Sequence, residues 1–150
     1  MSTSPILTLP CLCATLRRSS RALTQLYEAF LRPLGLRSGQ FTILQVLWRM
    51  GEMPQRSLGE ILAMDSTTLT RTLAIMRRRG WIAERSGQDR RERLLRIAKP
   101  GEALLNRALP LWEQAQARLQ QQLGDESWKN LFQLTNQLTN VVTAQEGASK

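Results

Sequence analysis

The sequence predicts a single domain over residues 1–150 that is mainly α-helical and contains one short β-hairpin. Apolar residues recur at three- and four-residue spacing through most of the chain, which is the spacing of an amphipathic helix. Between residues 81 and 98, two short extended runs instead surround the polar tip "SGQDRR", which is typical of a hairpin. With 150 residues, of which 42% are hydrophobic, the chain is long enough to bury one core.

Six helices are predicted, and breakers mark several of their ends. Pro33 and Gly35 end the first helix, and Gly51 ends the second. The third helix is short and leads directly into the fourth, which Gly80 ends. The predicted ranges are 10–31, 38–50, 54–63, 66–79, 100–123 and 125–142.

The last two helices have their own boundary signals. Pro100 lies in the first turn of the fifth helix, where helices accept proline, and Pro110 is expected to bend that helix. Asp125 follows the breaker Gly124 and can cap the sixth helix. Residues 143–150 are expected to be disordered.

The positive charge of the chain is concentrated between Arg71 and Arg96. The net charge is +9, and 18 of the 21 basic residues are arginines. Nine arginines against three acids in that segment place +6 within 26 residues. Arginine forks match phosphates and guanine edges, so this cluster favours a nucleic-acid partner over a merely solvated basic surface.

The composition offers little for catalysis or metal binding. The chain contains no histidine, which removes His-based catalytic triads and most zinc sites, so we expect no enzyme activity, no metal and no cofactor. Cys11 and Cys13 are separated by one residue and do not make a disulfide framework, which favours a reducing cytoplasm. The chain contains no run of about 20 apolar residues, which a membrane-spanning helix would need.

The stretch "DSTTLTRTLAIMRRRGW", residues 65–81, predicts a helix with one apolar and one polar face. At about 100° per residue, Leu69, Leu73 and Met76 fall on the core side. The opposite face begins with small hydroxyls and continues through Arg71, which suits a helix whose first half enters a major groove. The candidate DNA-binding residues of this helix are Ser66, Thr67, Thr68, Thr70, Arg71 and Arg78.

A helix-turn-helix is predicted around this stretch. Gly59 lies where the third and fourth helices must cross closely, and Asp65 is expected to cap the fourth. The arginine-rich hairpin that follows is placed to act as a wing. The sequence therefore predicts a winged helix-turn-helix over residues 38–98. The outer helices, residues 10–37 and 100–145, are left to bury their apolar faces against a second copy.

Three segments together resemble the MarR family of bacterial winged-helix regulators: "LRSGQFTILQVL", "SLGEILAMDSTTLTRTLAIMRRRGWI" and "DRRERLLRIAKPGEALL". The resemblance covers roughly residues 12–123. It implies a homodimer that binds a pseudo-palindromic operator in double-stranded DNA, and a repressor released by a small ligand or by thiol oxidation. The family's Asp-x-Arg wing signature corresponds to Asp89 and Arg91. The resemblance also implies that the wing tip, Arg90 and Arg91, reaches the minor groove.

Cys13 is a candidate redox sensor. It lies near the positive end of the first helix, with Arg17 one turn later, and both features favour the thiolate. Its surroundings also resemble the organic-hydroperoxide-sensing branch of the family, although that branch has tyrosines where this chain has Arg17 and Ser38. The residues that match the branch are Cys13, Ser19, Ser20, Arg21 and Tyr27.

Several alternatives remain open at this stage. Cys13 can instead be a small buried side chain at a dimer interface, which is what a free cysteine usually is. The effector can instead be a small apolar or anionic ligand, bound near Phe41 and Trp48 between the winged helix and the dimerisation helices. A protein of another class, an arginine-rich helical interaction module, would keep the helices but have no use for a wing. A thiol peroxidase would leave the arginine cluster unexplained.

Overall fold

The computed structural model describes residues 11–89 and 92–148. It contains two compact units, the first ending at Trp112 and the second beginning at Glu113. The helices are α1 (Leu12–Leu31), α2 (Ser38–Met50), α3 (Gln55–Leu62), α4 (Ser66–Arg78), α5 (Lys99–Leu123) and α6 (Asp125–Ala148), with a 3-10 turn at Arg32–Leu34. The strands are β1 (Met53–Pro54), β2 (Ile82–Ser86) and β3 (Arg93–Ile97). The predicted fold class, mainly α-helical with a small β-hairpin, is confirmed.

Local signals set most helix ends in the first unit. α2 has the predicted bounds, because the side chain of Gln40 accepts the N–H of the residue before the helix at 3.0 Å. Gly51, with φ of +80°, ends α2. The start predicted for the first helix at Pro10 lies outside the described residues, and α1 begins at Leu12.

The C-terminal helix is longer than predicted. α6 continues to Ala148, so the expectation of disorder is wrong for residues 143–148, while residues 149–150 lie outside the described part. The apolar pattern ends at Val142, but a helix needs only a carbonyl one turn back for each N–H. The hydroxyl of Thr143 is also satisfied within the helix, by the carbonyl of Thr139 at 2.9 Å.

The predicted hairpin acquires a third strand that the sequence did not indicate. β2 and β3 pair antiparallel from Ile82 opposite Ile97 to Ser86 opposite Arg93. β1 pairs with the other edge of β3, which gives the order β1-β3-β2. A two-residue strand has no periodicity of its own, so β1 exists only because β3 offers it an edge.

The core of the first unit is formed mainly by leucines. The three apolar positions of α4 predicted to face the core are all buried. The chain before α5 packs tightly against the start of β2: the Ala98 N–H donates to the Trp81 carbonyl at 3.0 Å, and a side chain at Gly101 would collide with that carbonyl. The fully buried core residues are Leu31, Leu36, Ile43, Leu44, Leu47, Leu58, Leu69, Leu73, Met76, Leu95 and Leu105.

The second unit consists of the rest of α5 and all of α6. Gly124, with φ of +80°, makes the connection between them, and Gln120 donates to the carboxylate of Asp125 at 2.8 Å. The rings of Trp128 and Phe132 meet edge to face at 5.0 Å. In neither unit, over the residues described, is a helix long and apolar enough to cross a membrane.

Candidate nucleic-acid interface

Asp65 determines where α4 begins. Its carboxylate accepts the backbone N–H of Thr68 at 2.9 Å and so satisfies one of the free amides of the first turn. The pKa of Asp65 is lowered mainly by a hydrogen bond from the side chain of Thr68 and to a smaller extent by the one from its backbone, so the cap stays ionised. The cap predicted from the sequence is confirmed.

The outer face of α4 carries hydroxyls at its start and arginines further along. The predicted DNA-binding residues of this helix are all exposed: Ser66, Thr67, Thr68, Thr70, Arg71 and Arg78. Across the described chain, no carboxylate forms an ion pair with Arg71 or Arg78. Their guanidinium groups are therefore available to a partner outside the chain.

Gln55, the first residue of α3, contacts this face of α4. Its side-chain amide donates to the hydroxyl of Thr70 at 3.1 Å. This bond holds the Thr70 hydroxyl against the preceding helix, so the tertiary structure sets the direction in which that hydroxyl points. The sequence analysis did not identify Gln55, because the two residues lie 15 positions apart and share no periodic pattern.

The turn between α3 and α4 brings the two helices as close as Gly59 permits. A Cβ at Gly59 would lie 3.2 Å from Cδ2 of Leu69, a spacing that forces a neighbour to shift. Ala63 ends α3 with φ of +49°, and the Met64 N–H donates to the Gly59 carbonyl at 3.1 Å. The predicted close crossing at Gly59 is present.

Backbone hydrogen bonds join the described residues on the two sides of the wing tip. The Gly87 N–H donates to the Glu92 carbonyl at 2.9 Å, and the Glu92 N–H donates to the Asp89 carbonyl at 2.9 Å. Asp89 is exposed. The other two predicted wing residues, Arg90 and Arg91, lie outside the described residues.

Two glutamates hold the base of the wing. The carboxylate of Glu84, in β2, accepts hydrogen bonds from Arg77 of α4 and, at 2.5 Å, from Arg93 of β3. Glu52 accepts the Nε of Arg85 at 3.0 Å, and this hydrogen bond lowers the pKa of Glu52 and raises that of Arg85. Three arginines of the basic cluster are therefore paired within the chain, which their positions in the sequence did not indicate.

The cysteines lie apart from this surface, at the start of α1. Arg17 donates to the sulfur of Cys13 at 3.4 Å, as the spacing of one turn suggested. Both thiols are exposed in the single chain. Tyr27 is half-buried, and this burial raises its pKa. At 1.5 Å per residue, Tyr27 lies about 21 Å along α1 from Cys13, so one chain does not bring the two together.

Sequence comparison finds relatives among transcriptional regulators. The sequence model described as the MarR family matches residues 36–92. The chain is 34% identical over 101 residues to the organic hydroperoxide resistance transcriptional regulator of Bacillus subtilis (strain 168), which is 67% of this chain and 69% of that protein. It is 32% identical over 87 residues to the uncharacterised HTH-type transcriptional regulator YwoH of the same organism. That match spans 58% of this chain and 64% of the length of YwoH.

The fold also matches a solved structure over most of its length. The M. tuberculosis transcriptional regulator MosR, in complex with DNA, aligns with a TM-score of 0.81 at 34% identity. The alignment covers 89% of this chain and 97% of that one. These relatives are regulators and not enzymes. The chain therefore belongs to the MarR family of transcriptional regulators.

Proposed function

We propose that the protein is a homodimeric repressor that binds a pseudo-palindromic operator in double-stranded DNA. The observation that carries the proposal is the exposed face of α4, where small hydroxyls precede Arg71 and Arg78 and no carboxylate in the described chain engages either arginine. The DNA complex of M. tuberculosis MosR supports it, because that protein is 34% identical to this chain.

In this proposal the first half of α4 enters the major groove, and α4 is the recognition helix. Arg71 donates both arms of its guanidinium to O6 and N7 of a guanine. The hydroxyls of Thr67 and Thr70 reach phosphates or base edges, and the free N–H groups at the helix start attract phosphate. Arg90 and Arg91 carry positive charge into the neighbouring minor groove.

A second copy of the chain is proposed to cover the apolar side chains that the terminal helices expose. Those on α1 are Leu12 and Leu23, and those on α5 and α6 are Leu123, Leu131, Phe132, Leu134, Val141 and Val142. A two-fold dimer would bury such faces against their own copies. It would also present two recognition helices to half-sites about 34–36 Å apart, which is one turn of DNA.

The experiment that tests DNA binding is selection of bound duplexes from a random pool, followed by salt titration of the selected site. We expect enrichment of one inverted repeat, whose affinity falls steeply as salt rises, because counterions are released when phosphates are contacted. An arginine-rich interaction module would enrich no sequence. A search for the selected site upstream of the protein's own gene would then identify a regulated promoter.

We further propose that Cys13 receives the signal that releases the operator. The supporting observation is the hydrogen bond that Arg17 donates to its sulfur at 3.4 Å. The thiolate attacks one oxygen of an organic hydroperoxide, forming an S–O bond and breaking the O–O bond. The sulfur is oxidised to a sulfenic acid, and the alkoxide leaves as an alcohol after taking up a proton. An effector of the other kind, a small ligand, would act without this thiol.

A further inference from the structure

We propose that Glu84 is a positioning residue that fixes the wing relative to the recognition helix. The inference rests on the proposed function and concerns how that surface keeps its shape. The Glu84 side chain is 10% exposed, and its two carboxylate oxygens have different partners. One accepts from Arg77 in the last turn of α4, and the other accepts from Arg93 of β3 at 2.5 Å.

The register of the hairpin makes this carboxylate a junction of three elements. Glu84 is opposite Leu95 in the β2–β3 ladder, and Arg93 is opposite Ser86, so Arg93 reaches diagonally across the hairpin. Arg77 comes from outside the sheet. A single side chain thus ties the end of α4 to both strands of the wing.

One partner of Glu84 also lines a groove between the helix-turn-helix and the wing. A groove of about 790 Å³ is lined by the start of α3, the start of α4 and the wing, and Arg93 is one of its lining residues. α4 and the wing are proposed to enter different grooves of the DNA. Their separation must therefore match the duplex, and the Glu84 junction is one of the contacts that sets it.

The charge of Glu84 gives this role a distinctive signature. A carboxylate inside a basic DNA-binding surface opposes phosphate binding, so its removal should tighten binding if charge alone mattered. If Glu84 positions the wing, its removal should instead weaken DNA binding, because the wing is then no longer tied to α4. Glu52 provides the matched control: it also pairs with a wing arginine, Arg85, but within the described residues it makes no hydrogen bond to α4.

The first experiment measures the free protein. Spin labels are attached to Thr67→Cys in α4 and Gln88→Cys at the wing, in a chain that also carries Cys11→Ser and Cys13→Ser. We expect Glu84→Gln to broaden the distribution of label distances and Glu52→Gln to leave it as it is. A distribution of unchanged width in Glu84→Gln would overturn the proposal.

The second experiment measures affinity for the selected operator. We expect Glu84→Gln to bind about tenfold more weakly, or about 1.4 kcal/mol, although the substitution removes one negative charge from the DNA-binding surface. It should keep its base preference at the positions under α4, because α4 itself is unchanged. Glu52→Gln should bind as well as wild type or better. Equal or tighter binding by Glu84→Gln would refute the positioning role.

Two additions keep the result interpretable. Glu84→Asp keeps the charge but is one methylene too short to reach both arginines, so it should behave like Glu84→Gln. Thermal unfolding of each variant identifies any that fails to fold. If wild type itself shows no sequence preference, the proposed function fails, while the label distances still decide whether Glu84 holds the wing.

Discussion

Arg71 and Arg77 lie on the same helix but have different environments. Arg77 is paired with Glu84, whereas Arg71 is exposed and engaged by no carboxylate of the described chain. A guanidinium that is already paired has fewer donors left for a base, so we expect Arg71 rather than Arg77 to read sequence. Beside it, Gln55 fixes the hydroxyl of Thr70.

Replacement of Arg71 tests base reading directly. We expect Arg71→Ala to lose about 1–3 kcal/mol of operator binding and to relax preference at one base pair in each half-site. Arg107→Ala, an exposed position on α5, removes the same charge outside the helix-turn-helix and should leave base preference intact. Equal loss of affinity for every sequence would mean that Arg71 contacts phosphate instead.

Asp65 gives a prediction about stability and pH. Its pKa is lowered in the folded chain, so its carboxylate contributes stability above the unfolded aspartate pKa and loses it as pH falls through the folded value. We expect Asp65→Ala to unfold at a lower temperature at neutral pH. Asp65→Asn keeps a capping oxygen and should be nearly as stable at neutral pH. It should not show the loss of stability that wild type shows when the Asp65 carboxylate is protonated. Parallel pH profiles for wild type and Asp65→Asn would exclude this role.

At the scale of elements, α4 and the wing contribute different kinds of contact. The buried leucines of α4 anchor it in the first unit and leave its polar face outward. The wing is anchored at its base by Glu84 and Glu52. We therefore expect base reading to depend on α4 and the wing tip to contribute mainly electrostatic attraction.

Removal of the wing-tip charges tests this division. Arg90→Ala combined with Arg91→Ala should weaken binding to operator and random duplex alike. Each lost phosphate contact should also lower the slope of log affinity against log salt by about 1. The comparison is a salt titration of wild type and the double variant on both duplexes. An unchanged slope would show that the hairpin tip does not touch DNA.

At the scale of the whole molecule, the proposed switch links α1 to the spacing of two recognition helices. Cys13 and Tyr27 are too far apart on α1 to meet within one chain, so any pairing of the two requires a second copy. An oxygen added to a sulfur between packed helices would strain their contact. A small rotation of the dimer then moves the recognition helices out of register with half-sites about 34–36 Å apart.

The switch is tested by gel shift with and without an organic hydroperoxide. We expect wild type to release the operator and to rebind after thiol reduction. Cys13→Ser should bind and stay bound, while the neighbouring Cys11→Ser should still respond. Retention of wild type on DNA throughout would leave Cys13 as interface packing and favour a small-ligand effector. Loss of response in Cys11→Ser alone would assign the reactive thiol to Cys11.

The sequence by itself determined the elements that depend on local signals. α2 has its predicted bounds, and α4 begins after its Asp65 cap, because capping oxygens, glycines and apolar spacing act within a few residues. The exposed hydroxyl and arginine face of α4 followed from the same spacing. The end of α6 did not, because a helix can continue after its apolar pattern has stopped.

Only the tertiary structure decided which charges and hydroxyls remain for a partner. Glu84, Arg77 and Arg93 are unremarkable in sequence, and their junction exists because the end of α4 packs beside the hairpin. β1 and the contact of Gln55 with Thr70 arise in the same way. These interactions join residues distant in the chain, and no local pattern encodes them. The sequence therefore predicted where the basic surface lies, and the packing of the first unit determined which of its arginines are paired within the chain.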